Sequence, residues 1–160
     1  MDQATQAYIF CDLDGCLALN DHRGHLVPTG EARNDSEAWR EYVMACRFDV
    51  LNYTIDSLIR GLAGAGYFIQ IGTGRMEYAR GVTAEWLLRH HVPFGNVMHR
   101  ADDDYRPNAL VKEAMLDTCI AQFGALPSMA IEDDPDTIAM YHRRGVNVLS
   151  VATRSSCLTI

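Results

Sequence analysis

Short apolar runs alternate along this chain with longer stretches whose apolar residues recur at helical spacing. Residues 7–11, 67–71, 96–99, 129–131 and 146–151 read as strands, the third being the weakest. Between them, 52–65 carries Ile55, Leu58, Ile59 and Leu62 at helical positions. Residues 77–91 carry Val82, Trp86 and Leu87, and 108–123 carry Val111, Met115 and Cys119. Residues 134–144 open with Asp134 as N-cap and Pro135 at the first helical position, and Gly145 ends the helix. Strands separated by helices predict an α/β fold with a parallel sheet covered on both faces. A length of 160 residues suits one domain, 1–160. Residues 20–51 break the alternation. They hold polar loop residues and an amphipathic stretch at 36–46 with Trp39, Tyr42, Val43 and Cys46, and read as a cap inserted over a site.

Ligands of such sheets bind beyond the carboxyl ends of the strands. That rule selects four places here: 12–16, 72–76, the approach to Lys112, and 132–136. The first is the most informative. Asp12 and Asp14 stand two positions apart at a strand end and project to the same side. Carboxylates that close resist ionising together unless a cation lies between them. Gly15 then allows a sharp turn and close approach to a ligand. The set suggests a bound Mg²⁺, a phosphate, and one carboxylate free to act as nucleophile. Asp133 would complete the metal site begun by Asp12 and the backbone carbonyl of Asp14, since Mg²⁺ needs only one or two protein carboxylates. Asp134 reads as a cap and Glu132 as a residue that orients its neighbours.

The other positions admit two readings each. The loop Gly72-Thr73-Gly74-Arg75 can hold phosphate oxygens with its amides and the Thr73 hydroxyl, or be a plain strand-to-helix turn. Arg75 contacts a phosphate or pairs with an acid. Lys112 offsets charge at the mouth of an acidic site or is an ordinary exposed helix lysine. Arg100 and Arg106, flanking the acids at 102–104, are salt-paired loop residues or contacts to a phosphate backbone. His22 and His25 read as polar loop residues rather than a metal pair, and His90-His91 lies at a helix end. Trp39 and Tyr42 read as packing residues, although an aromatic on a cap can stack on a base.

Composition narrows the partners. With 14 basic and 21 acidic residues the chain has a formal charge of −7, which argues against a broad non-specific grip on nucleic acid. It leaves room for a narrow basic groove above an acidic metal site. Cys11, Cys16, Cys46, Cys119 and Cys157 are scattered without a C-x-x-C pair, so reduced thiols are expected rather than a disulfide framework or zinc site. No run is apolar enough to span a bilayer, and the polar first residues lack the parts of a signal peptide. A cytoplasmic protein without membrane contact is the expectation.

Taken together, Asp12-Leu13-Asp14-Gly15, Thr73, Lys112 and Glu132-Asp133 resemble, in order and spacing, the four motifs of the haloacid dehalogenase (HAD) superfamily of phosphohydrolases. That resemblance implies a Rossmann-like three-layer sandwich with a central parallel sheet and a small inserted cap, about 20–51. A narrower resemblance covers nearly the whole chain. The stretches 71–75, 98–112 and 131–146 are similar to the 3′-phosphatase domain of bacteriophage polynucleotide kinase, with Arg75 and Arg106 matching arginines there. No G-x-x-x-x-G-K-[ST] occurs, so the chain carries no P-loop kinase. Cys16 stands where the superfamily usually has Thr, and Glu132 where Asp is frequent.

The resemblance implies a Mg²⁺-dependent phosphomonoesterase. Asp12 would form an aspartyl-phosphate, Asp14 would act as acid and base, and Thr73 and Lys112 would hold the phosphoryl oxygens. Gly74, Arg75 and Arg106 would bind substrate, and Asp12, Asp14 and Asp133 the metal. Burial and nearby acids are expected to raise the pKa of Asp14 for its role. The substrate implied is a 3′-phosphorylated nucleic-acid end. Free nucleoside monophosphates are the alternative, and a catalytically silent binding module the third reading. No protein partner is indicated.

Overall fold

Every residue of β1 (Tyr8–Cys11) is buried, because this strand lies at the middle of the sheet. The computed structural model describes residues 6–35 and 37–152. After β1 the elements are β2 (Ala18–Leu19), α1 (Arg40–Met44), β3 (Val50–Leu51), α2 (Tyr53–Gly64) and β4 (Phe68–Met76). They continue with α3 (Arg80–Arg89), β5 (Asn96–Arg100), α4 (Asn108–Phe123), β6 (Met129–Glu132), α5 (Pro135–Arg143) and β7 (Val148–Ser150). The main sheet has the order β5-β4-β1-β6-β7, and all its pairings are parallel. β1 is followed in the chain by elements on one side of it, and β6 by β7 on the other. The strand order therefore reverses between β1 and β6, where a crevice opens beyond their carboxyl ends.

Side chains alternate across the sheet and build two cores. Ile9, Cys11, Ile69, Ile71 and Ile131 pack against Ile55 and Ile59 of α2 and Trp86 and Leu87 of α3. On the other face Tyr8, Phe10 and Ala130 meet Val111, Met115, Leu116 and Cys119 of α4 and Met140 and Tyr141 of α5. This is the expected Rossmann-like α/β sandwich, a central parallel sheet covered on both faces. Asp134 caps α5 by accepting from the Thr137 amide at 3.0 Å.

The structure departs from the sequence reading in two places. Residues 72–76 are strand rather than loop: β4 has nine residues and pairs with β5 as far as Met76, with a register shift between Thr73 and Met76. The two-residue strands β2 and β3, too short to leave a periodic signal, form an antiparallel ribbon at the two ends of the 20–51 segment. Within that segment lie short 3₁₀ turns at Asp21–Leu26, Gly30–Asn34 and Ala45–Phe48, and the five-residue α1. Its apolar side, Val43 and Cys46, packs on Met76, Ala79 and Val82. Cys11, Cys16, Cys46 and Cys119 are free and buried. Ser36 and Cys157 lie outside the described residues. Among those residues no helix is long and apolar enough to cross a membrane.

Close approach explains one glycine. A Cβ at Gly72 would sit 2.4 Å from the Phe10 ring, whereas one on the helical Gly61 meets open space. Gly72→Ala is expected to destabilise the protein by about 1–3 kcal/mol through overpacking. Gly61→Ala is expected to stabilise it by about 0.5–1 kcal/mol through backbone entropy. Urea denaturation of the two variants checks both signs.

Candidate active site

Asp12 leaves β1 with its amide bonded to the Ile131 carbonyl of β6 at 2.9 Å, which fixes it over the crevice. Lys112, on the first turns of α4, is wholly buried and points its Nζ into the same place. It donates to Asp12 Oδ1, to the Gly72 carbonyl at 2.7 Å and to Glu132 Oε2 at 3.4 Å. The lysine is held protonated: burial works against its charge, but Asp12 and Glu132 outweigh burial. The exposed-helix reading of Lys112 does not describe this structure. Glu132 orients its neighbours, its Oε1 accepting from the amides of Asp133 and Asp134 at 3.1 and 3.2 Å.

Asp133 faces Asp12 from the other strand. Burial first, and the charge of Glu132 second, push its carboxyl up to about 7. Burial likewise raises Asp12, with Lys112 opposing and Glu132 and Asp133 adding to the effect. Donor atoms of Asp12, Cys16, Glu132 and Asp133 all lie within 4.8 Å of one another. Asp14 is not among those four. The bridge between Asp14 and Ala18 uses the Leu13 carbonyl and the Gly15 amide and leaves the Asp14 carbonyl outside it. Asp12 and Asp133, two acids that resist ionising together, offer oxygen donors of the kind that fits Mg²⁺. Gly15 makes the fit possible, since at φ +87° a Cβ there would lie 2.1 Å from Asp133 Oδ2.

A second cluster adjoins the first. Asp14 is gripped by two guanidiniums. Arg75 donates from Nη2 to its Oδ1 at 2.6 Å and from Nε to its Oδ2 at 3.0 Å, and Arg23 donates from Nη2 to the same Oδ1 at 2.5 Å. Both arginines also bind Asp49, Arg23 through two donors at 2.8 and 2.7 Å and Arg75 at 2.8 Å. Arg23 is 0% and Arg75 1% exposed. The Arg23 guanidinium also lies over the Tyr42 ring, 4.3 Å from its centre. Burial alone would raise the Asp14 carboxyl, but Arg75 and then Arg23 outweigh it and hold it down at about 2. This reverses the expectation of a raised pKa, because the charges nearest Asp14 are cations rather than acids. Neither Arg23 nor Asp49 stands out in the sequence. A lone Arg in a polar loop and a lone Asp before a two-residue strand carry no periodic or motif signal.

Above both clusters opens a cavity of about 580 Å³. Asp12, Asp14 and Asp133 lie at its base, with Gly74 and Arg75 beside them. The 20–51 segment contributes Arg33, Trp39 and Tyr42, and the loop before α4 contributes Tyr105 and Arg106. Arg106 is exposed and paired with Asp104 at 2.7 Å. Thr73 is wholly buried and does not line the cavity; its hydroxyl accepts from the Arg75 amide at 3.2 Å. Arg100 braces the loop, donating to the carbonyls of Asp104 and Arg106 at 3.1 and 2.8 Å.

A family profile described as the polynucleotide kinase PNKP phosphatase domain matches residues 6–155. The chain belongs to that family. It is thus a phosphoric monoester hydrolase of the HAD type. Among solved structures of similar fold, one chain of a Pnkp1/Rnl/Hen1 complex aligns with a TM-score of 0.76 and 20% identity over 95% of this chain and 48% of that one. A hydrolase from Streptococcus pneumoniae TIGR4 aligns at 0.61 and 15% identity, covering 96% of this chain and 97% of its own. The class C acid phosphatase from Bacillus anthracis, with tungstate bound, aligns at 0.64 and 13% identity, covering 96% of this chain and 69% of its own. The chain spans about half the length of the chains it matches in Pnkp1/Rnl/Hen1 complexes. A comparison with curated protein sequences found no significant match.

The raised carboxyl of Asp133 gives this phosphatase domain a pH signature. A carboxyl near 7 when folded binds more protons than its unfolded form, so stability falls as pH rises from about 4 to about 7. A divalent ion bound at Asp133 would oppose the loss by holding the ionised form. Without Mg²⁺, the melting temperature is expected to drop between about pH 4 and about pH 7, with Mg²⁺ restoring most at the upper end. Asp133→Asn is expected to flatten both effects in the same thermal scans.

Proposed function

We propose that this chain removes 3′-phosphates from nucleic-acid ends in a Mg²⁺-dependent reaction that passes through a phosphoryl group on Asp12. The observation that carries the proposal is the Asp12 carboxylate at the base of the cavity, with one oxygen bound to Lys112 and Asp133 beside it. When bound by Asp12, the Asp14 carbonyl and Asp133, Mg²⁺ supplies neutralising charge for the transferring phosphoryl group. Lys112 orients the nucleophile and keeps its second oxygen toward the cavity. That oxygen bonds to phosphorus as the ester P–O bond breaks. The leaving oxygen takes a proton from Asp14, and a water then attacks phosphorus, returns a proton to Asp14 and frees Asp12 and inorganic phosphate.

Asp14 held at about 2 is ionised and cannot donate. It becomes an acid only when the grip of Arg75 or Arg23 loosens. Arg75 lines the cavity, so an incoming phosphate competes with Asp14 for it. On this reading Arg75 binds substrate and thereby releases the acid. Gly74 lets the chain pass close to Asn108 and the phosphate, and Thr73 holds the strand bend that aims Arg75. The 20–51 segment acts as a cap.

Nucleic-acid ends are favoured over free phosphate esters by the cavity walls. A phosphate occupies a small part of about 580 Å³. The remainder is lined by Trp39, Tyr42 and Tyr105, which can stack on bases, and by Arg33 and Arg106, which can pair with phosphates. One chain of similar fold is part of a Pnkp1/Rnl/Hen1 RNA repair complex, and a role in mending broken strands fits this chemistry.

The test measures phosphate release from a 3′-phosphorylated oligonucleotide and from 3′- and 5′-mononucleotides, with and without Mg²⁺. Asp12→Asn is expected to lower the rate about a thousandfold or more. Full activity in that variant rejects the nucleophile assignment. A tenfold preference for 5′-mononucleotides, roughly 1.4 kcal/mol in transition-state binding, replaces the 3′-end reading with a nucleotidase.

A further inference from the structure

Cys16 adds a sulfur donor to a site otherwise made of oxygen. It follows the Gly15 turn, is wholly buried, and places its Sγ 3.8 Å from Asp133 Oδ1. Of the four side chains whose donors converge, Glu132 is already committed on both oxygens, to two backbone amides and to Lys112. The donors left for an ion are Asp12, Asp133 and Cys16. A tetrahedral ion with bonds of about 2.3 Å to sulfur and about 2.1 Å to oxygen sets those two atoms about 3.6 Å apart. The observed 3.8 Å needs almost no movement to meet it.

Mg²⁺ takes oxygen ligands and makes no use of a thiol, whereas Zn²⁺, Cd²⁺ and Co²⁺ accept thiolate and carboxylate together. We propose that Cys16 gives this site a second metal mode, in which a thiophilic divalent ion is held by the Cys16 sulfur with Asp12 and Asp133. The inference rests on the reading of Asp12 and Asp133 as the Mg²⁺ ligands. On binding, the S–H proton passes to solvent and the sulfur electron pair goes to the metal, with no change of oxidation state. A hydroxyl at this position, as in most of the superfamily, lacks the soft donor and the second mode with it.

Co²⁺ titrated into the purified chain reads the ligand directly through a sulfur-to-cobalt charge-transfer band in the near ultraviolet. The wild type is expected to show the band, and Cys16→Ser and Cys16→Thr to lack it. Mg²⁺ binding, read as a shift in melting temperature, is expected in all three. Cd²⁺ affinity relative to Mg²⁺ is expected to fall about tenfold or more in the two variants. Wild-type protein that binds Co²⁺ with oxygen-type bands only overturns the sulfur mode and leaves the Mg²⁺ site standing. A band that persists in Cys16→Ser assigns the sulfur elsewhere and also overturns it. Should neither ion bind the wild type, or should Asp133→Asn bind both unchanged, the metal site itself fails. Because the wild-type spectrum decides first, a variant that does not fold leaves the proposal open to refutation.

Discussion

Burying like charges together is the constraint that organises this molecule. Asp12, Asp14, Asp49, Glu132 and Asp133 converge at the crevice between β1 and β6, set against Lys112, Arg23 and Arg75. Buried ions are costly unless paired and hydrogen-bonded, and removing one partner of such a pair costs about 3–5 kcal/mol. The guanidiniums meet the needs of Asp14 and Asp49, and the lysine those of Asp12 and Glu132. Asp133 pairs with none of these cations, and burial, then the charge of Glu132, make its carboxyl resist ionising. The acids exceed the bases by two, and one divalent ion would close that difference.

Topology makes the convergence possible. The residues come from strand ends and from helix and loop positions far apart in the chain, yet a parallel sheet delivers its carboxyl ends to one edge. β1 brings Asp12 and β6 brings Glu132 and Asp133 at the reversal point, while β4, next to β1, runs on far enough to carry Arg75 to Asp14. The extension of β4 has a consequence for charge. As a loop, 72–76 would leave Arg75 in solvent; as a paired strand it buries the guanidinium where only anions can satisfy it.

Much of this was legible in the residues. The alternation of apolar runs and amphipathic stretches carried the sheet and its helices, and β-strand ends carrying Asp12, Thr73 and Asp133 carried the general location of the site. Asp134-Pro135 at α5 and Gly145 beyond it were readable because capping is local chemistry. What escaped was non-local. Arg23 and Asp49 lie 26 positions apart and matter only because the 20–51 segment folds back on itself. The charge state of Asp14 escaped for the same reason: proximity to acids in sequence suggested a raised pKa, whereas proximity to arginines in space sets it. Two-residue strands such as β2 and β3 leave too few positions for any period to register.

The Arg23–Asp14–Asp49–Arg75 cluster joins the inserted segment to the end of the sheet, and on the proposed mechanism this makes cap and acid one device. Arg23 belongs to the segment and Arg75 to the sheet, and Asp14 and Asp49 are shared by both. Protonating Asp14 would leave two buried guanidiniums facing the single charge of Asp49, an arrangement that favours opening the segment to water. An anion placed where Asp14 had been paired removes that penalty. A phosphate monoester is such an anion, and it arrives at the cavity wall that Arg75 forms. On the proposed mechanism, closure of the segment and release of Asp14 to donate a proton are thus compatible only when a phosphate is present. On that proposal, the same ion pairs that hold Asp14 and Asp49 in the resting domain keep the acid silent until substrate replaces one of them.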